Sequence, residues 1–164
     1  MISKEMFISK LQKEVHILKH LAEKVTTPEL LHFKFSDTQR TTGEWMAYIA
    51  LIGSATTRDV LNDDASGFSD FAQRSAQFDP ATFSASLDAD VALIIDLLQA
   101  TSEDTLLEEK NQWGAIDTRA WHILGVYNLY VAYKTQIFLQ LKSAGLADLG
   151  TMNLWAGMDI PAKA

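Results

Sequence analysis

No cysteine occurs anywhere in the 164 residues. Disulfides, thiolate nucleophiles and cysteine-based zinc sites are therefore excluded. Only three prolines and eight glycines are present, so little in the chain forces a helix to stop. No apolar stretch approaches the roughly 20 residues that a membrane-spanning helix needs. Positive charge is thin as well: 14 Lys and Arg stand against 21 Asp and Glu, a net charge of -7, and the basic residues are scattered. Nucleic acid and anionic membrane surfaces both demand clustered positive charge, so neither is an expected partner. The opening "MISKEMFISKLQKEV" is charged throughout and does not read as a signal peptide. The expectation is one cytoplasmic domain over 1–164, long enough for a substantial core.

What is present is helical periodicity. Over about 3–25, Phe7, Leu11, Val15, Leu18, Ala22 and Val25 alternate steps of four and three, which puts them on one face. Ser3 can cap the start. A second helix is predicted over about 42–63, opened by a Thr41/Glu44 capping box and carrying Trp45, Tyr48, Ile49, Ile52 and Val60. A third covers about 80–100, where Asp79 caps, Pro80 suits the first position, and Phe83, Leu87, Val91, Ile94 and Leu98 repeat. The fourth runs over about 118–144, capped by Asp117 or Thr118 and stopped by Gly145. It is apolar on most sides and is expected to be the most buried. No strand is predicted beyond a brief extended stretch in "LHFKF" (31–35). The three connections are each about 15 residues, against roughly 2–8 for simple bundle hairpins. The expected fold is an all-α four-helix bundle with at least one crossover connection. Residues 146–164 form a C-terminal tail in which Met152, Trp155 and Met158 are too apolar to be free, so the tail is expected to dock with Trp155 buried.

Candidate chemistry is sparse. His16 and His20 are four apart and could face one metal, but they lie opposite the apolar face beside Lys13 and Lys24, which reads as a solvated surface. His32 has no evident partner. On the fourth helix His122, Val126, Leu129, Tyr133, Gln136 and Gln140 share a stripe whose polar atoms must be satisfied within the bundle or at a pocket. Neither a G-x-S-x-G elbow nor a phosphate-cradling glycine loop is present. The carboxylates of "LNDD", "DAD" and "LEEK" are expected at helix ends and polar faces, in solvent.

The stretch "LYVAYKTQIFLQLKSAG" resembles the fourth helix of the DinB-like (DinB/YfiT) superfamily, which typically reads H-x-x-x-H-R-G-Q before an apolar run and a glycine. Gln136 matches the Gln, Lys134 and Thr135 stand at Arg-Gly, and "FLQLKSAG" matches the close. The second helix, "TTGEWMAYIALIG", is similar to the family's Ser- or Thr-led start followed by E-L-L-x-H. The resemblance covers most of the chain and implies a homodimer. It also implies a three-histidine metal site, whose positions fall here on Tyr48, Leu129 and Tyr133. None is histidine, and a neutral phenol is a poor ligand for zinc or nickel. The reading is therefore a bundle without cofactor, non-catalytic, with a candidate small-molecule pocket at Trp45, Tyr48, His122, Leu129, Tyr133 and Gln136. Tyr48 and Tyr133 are expected to meet where the metal would lie. The alternative is an enzyme related to the family's metal-dependent thiol transferases and isomerases, with Tyr and His acting in place of the metal. However, His122 lies about 16 Å along the helix from Tyr133.

Overall fold

A computed structural model describes residues 3–63 and 66–160. Four long helices carry the predicted stripes: α1 (Lys4–Ala22), α3 (Thr42–Asn62), α5 (Phe83–Ala100) and α7 (Arg119–Ser143). Shorter helices lie between and after them: α2 (Pro28–His32), α4 (Ser66–Ala76), α6 (Glu103–Leu107) and α8 (Thr151–Ala156). The starts are chemically specified. Ser3 Oγ accepts from Met6 N. Asp79 Oδ1 accepts from Ala81 N, but it caps a 3-10 turn over Pro80–Thr82 and not α5, which begins at Phe83 without a side-chain cap. Thr118 Oγ1 accepts from Trp121 N. Thr41 and Glu44 form a reciprocal capping box, satisfying amides that the first turn leaves free.

α1 packs against α5 and α7, and α3 packs against the same two, so α1 and α3 are diagonal. Contacts along the helices fix their directions. Ser54 bonds Asp90, and Met46 and Phe83 line one cavity at the other end, so α3 and α5 run parallel. Lys4 reaches Thr101 while Lys19 reaches Asp88, so α1 and α5 are antiparallel. Arg119 bonds Val60, and Gln140 bonds Arg40, so α3 and α7 are antiparallel. Parallel neighbours cannot be joined by a hairpin. The segment between α3 and α5 is therefore the crossover, and α4 within it packs along α3.

The core is continuous through the bundle. Leu11, Ile17 and Leu21 of α1 are fully buried, as are Ile49, Leu87, Ile94, Tyr130 and Leu141. The most buried helix is α3, with 13 of its 21 residues buried against nine of 25 in α7. The expectation for α7 fails because α3 is covered by α4 as well as by α5 and α7.

Two further elements differ from the expectation. "LHFKF" is no strand: α2 takes its first two residues. Strands occur instead at β1 (Glu109–Gln112) and β2 (Ala115–Thr118), antiparallel with Gln112 opposite Ala115. The two-residue turn puts Trp113 at φ 51° and Gly114 at φ 89°, the left-handed geometry that matches strand twist.

The tail lies against α1 and α7 through α8, with Leu149 and Asn153 buried; residues 161–164 fall outside the described part. Trp155 is not buried but 58% exposed. A six-residue helix has one inward face, and Asn153 takes it. The Trp155 ring instead lies over Lys134 Nζ at 5.2 Å.

Candidate functional site

Near one end of the bundle, α3 and α7 bring three of the six predicted pocket residues together. The rings of Tyr48 and Tyr133 are 5.1 Å apart at 72°. Trp45 lies one turn before Tyr48 and stacks on Tyr133 at 4.6 Å. Phe71, projecting from α4, closes edge-on against Tyr48 at 5.5 Å. All four side chains are half-buried. Arg40, just before the α3 cap, lies over the faces of both Trp45 (4.9 Å) and Tyr48 (4.8 Å). Its carbonyl accepts from Gln140 Nε2 at 2.9 Å, which ties this stretch to α7. The Trp45 indole nitrogen is buried and finds no acceptor among the described residues.

The electrostatics favour neutral phenols. Burial pushes the Tyr48 hydroxyl above its usual value and the neighbouring Tyr133 adds to it, with Arg40 opposing. Neither change makes an ionised oxygen, which is what a metal would require of tyrosine. Leu129 lies one turn from Tyr133 and offers no donor atom. Among the described residues, no three His, Cys, Asp or Glu converge on one point.

The remaining predicted positions have no ring contact with this cluster. Gln136 is half-buried three residues beyond Tyr133. His122 belongs to the hairpin end: its Nε2 is 3.0 Å from the Lys110 carbonyl. A carbonyl only accepts, so Nε2 carries the proton, and the contact fastens β1 to α7. His122 and Leu129 both line a cavity of about 500 Å³ with Thr56, Gln112 and Trp113, whose lining includes none of the stacked rings. His16 and His20 do not act as a pair. His20 Nε2 accepts from Asn153 Nδ2 at 3.0 Å, and the exposed His16 ring covers Gly157. The reading of both as solvated fails for His20, because α8 lies on that face of α1.

Three groups of buried charge escaped the sequence reading. Asp90, of the "DAD" expected in solvent, is fully buried. Its carboxylate accepts from Ser54 N (3.0 Å), Ser54 Oγ (2.5 Å) and Tyr130 Oη (3.3 Å), with Arg74 at 3.5 Å. Burial raises its pKa against the pull of the Ser54 bonds, and burial with Asp90 beside it raises Tyr130 well above the usual phenol. Gly53 makes room: a Cβ there would fall 2.3 Å from Tyr130 Oη. The second group is Glu14 with Lys134, both buried, at 2.5 Å, with Tyr127 Oη 3.3 Å from the carboxylate. The third is Arg119, which donates to the Val60 and Leu61 carbonyls at the end of α3 and pairs with Asp63 at 2.8 Å. A signal existed for two of them. Asp90 and Glu14 share the helical register of the apolar stripes around them, as Lys134 does between Tyr130 and Ile137.

Neither the protein-family models nor the curated proteins give a match to this chain. Among solved structures it is similar to the crystal structure of a DinB-like protein from Bacillus subtilis, YjoA. The TM-score is 0.68 at 16% identity, covering 88% of this chain and 94% of that one. A likeness at that identity concerns the fold, which is DinB-like.

Proposed function

We propose that this DinB-like bundle is a metal-free, non-catalytic binding protein whose ligand contacts the aromatic cluster between α3 and α7. The observation that carries the reading is the contact of Tyr48 with Tyr133 at 5.1 Å, at two of the three positions where the resemblance implies metal ligands. Stacked aromatic rings with exposed portions offer apolar area and π faces, the usual means of holding a small organic molecule. Acid–base catalysis by His122 with either tyrosine lacks support, since His122 is engaged with the hairpin. The proposal includes a cytoplasmic homodimer. The exposed Trp113, Ile116 and Trp121 near the hairpin are the surface that favours self-association.

Fragment screening by NMR in chelator-treated buffer tests the reading. Aromatic fragments are expected to shift the Trp45, Tyr48 and Tyr133 resonances together, and Tyr133→Ala is expected to abolish the response. Melting should be unchanged by EDTA. Fragment responses that avoid these rings, or tight stoichiometric uptake of zinc or nickel, would overturn it.

A further inference from the structure

The guanidinium of Arg40 is placed with unusual care for an exposed side chain. Its carbon is 4.9 Å from the Trp45 ring centre and 4.8 Å from that of Tyr48. Those two rings stand at 89° to one another, so they form a corner with the cation held in it. A planar guanidinium can lie flat on only one of two perpendicular rings and turns an edge to the other, which leaves its remaining N–H donors for a ligand. Among the described residues, no carboxylate lies within ion-pair distance of Arg40, and no guanidinium N–H of Arg40 has a protein acceptor. Most other cations near acidic groups in this chain are paired: Lys19 with Asp88, Lys24 with Asp159, Lys110 and Arg119 with Asp63, Lys134 with Glu14. Glu44 feels the Arg40 charge, but its carboxylate accepts from the Thr41 amide at 2.7 Å. In a chain of net charge -7, an arginine held against two aromatic rings, with no ion-pair partner among the described residues, is a candidate anion contact.

From this placement we infer that Arg40 is the oxyanion anchor of the aromatic site, and that its ligand is a small molecule joining a carboxylate or phosphate to a planar apolar body. The inference rests on the reading of the Trp45–Tyr48–Tyr133 cluster as a binding site. The oxyanion takes two parallel N–H donors from the guanidinium edge, the bidentate geometry that arginine offers and lysine does not. The apolar body lies against Tyr48 and Phe71. The two ring faces hold the guanidinium in place before the ligand arrives, which lowers the ordering cost of binding. Removing the Arg40 side chain leaves the structural tie to α7 intact, because Gln140 bonds the Arg40 backbone carbonyl.

The test uses three probes of one shape: phenylacetate, phenyl phosphate and the neutral 2-phenylethanol, each titrated into the full chain by NMR. The readouts are the Arg40 Nε–Hε signal and the ring resonances of Trp45, Tyr48 and Tyr133. Phenylacetate or phenyl phosphate should move both sets saturably, and the better of the two identifies the ligand's anion. Arg40→Gln should weaken the anionic probe about tenfold or more, the size of a lost charge-assisted hydrogen-bond pair. Arg40→Lys should recover only part of that loss. Binding of 2-phenylethanol should be unaffected by either change. If phenylacetate and phenyl phosphate shift the rings equally in the native chain and in Arg40→Gln, the anchor is overturned while the site stands. If no aromatic probe moves those rings, the site fails and the anchor with it.

Discussion

Lys134→Met offers the most decisive perturbation of the fold. Lys134 is 1% exposed and Glu14 5%, and their charged atoms are 2.5 Å apart. Methionine matches the length of the lysine stem and removes the ammonium. Among the described residues, Glu14 then keeps one partner, the Tyr127 hydroxyl at 3.3 Å. Leaving one charge of a buried pair unpaired costs roughly 3–5 kcal/mol. In a chain of this size that corresponds to a fall in melting temperature of roughly 6–20 °C. Glu14→Met alone is expected to cost a similar amount, for the mirrored reason. The double variant removes both charges and fills the space with two flexible apolar side chains. Such replacements are often neutral or stabilising, and the half-buried Tyr127 hydroxyl loses an acceptor at about 1 kcal/mol. The double variant should therefore lie within about 2 kcal/mol of the native chain, whereas additive losses of about 6–10 kcal/mol would use most of a typical domain's stability. Urea unfolding followed by far-UV circular dichroism on all four proteins measures the coupling. A single-variant cost below about 1 kcal/mol would show the pair to be water-screened. A double variant as unstable as the summed singles would show that packing, not charge, holds the two helices.

Gly53→Ala should cost about 1–3 kcal/mol, since the added methyl falls 2.3 Å from Tyr130 Oη and 2.8 Å from Ile94; combining it with Tyr130→Phe should recover part of the melting loss. Asp63 has its pKa lowered to about 2 by hydrogen bonds from Arg119 and Lys110. Its folded value is below the unfolded value near 3.9, so its contribution to stability is present above about pH 4 and lost as the pH falls toward 2. Carbon-detected titration of the carboxylate reads this directly, and Arg119→Met should move the midpoint up toward the usual carboxylate range. Asp90 carries the opposite sign. Its folded pKa is raised by burial, so its stabilising effect is full below the unfolded value and declines as the pH climbs through the folded one. Asp90→Asn should flatten that part of the pH–stability curve.

The four long helices were legible because each carries an apolar stripe of at least four turns and a start signal in its first residues. The meeting of Tyr48 with Tyr133 was legible through the family resemblance, which supplied the pairing of positions that one sequence cannot. α4 was not legible: "SGFSDFAQRSA" holds two phenylalanines on one face, too short a pattern to separate from a loop. The hairpin hid for a different reason. Its strands are four residues each and mostly exposed, so no alternation develops, and its Trp-Gly turn lacks the usual Asn-Gly signature. Buried charge was misread because residue type alone does not reveal a partner. Glu14 and Lys134 are 120 positions apart, and only the parallel packing of α1 against α7 makes them neighbours. Arg40 was overlooked since its role depends on two ring faces that meet only in the folded bundle.

The directions of the helices also set an order of assembly. Ser54 and Asp90 meet across 36 residues, within the unit of α3, crossover and α5. Glu14 finds Lys134 and Tyr127 only across 120 and 113, because the first and last long helices are the ones that lie side by side. Closing the longer loop costs about 1 kcal/mol more by chain entropy, so the inner unit is expected to form first and α1 to join α7 late. Substitutions at Ser54 or Asp90 should then slow folding, while those at Glu14 or Lys134 should chiefly speed unfolding. Stopped-flow chevrons for the two sets separate the arms, and a slowed folding arm in Lys134→Met would place the α1–α7 contact in the nucleus instead.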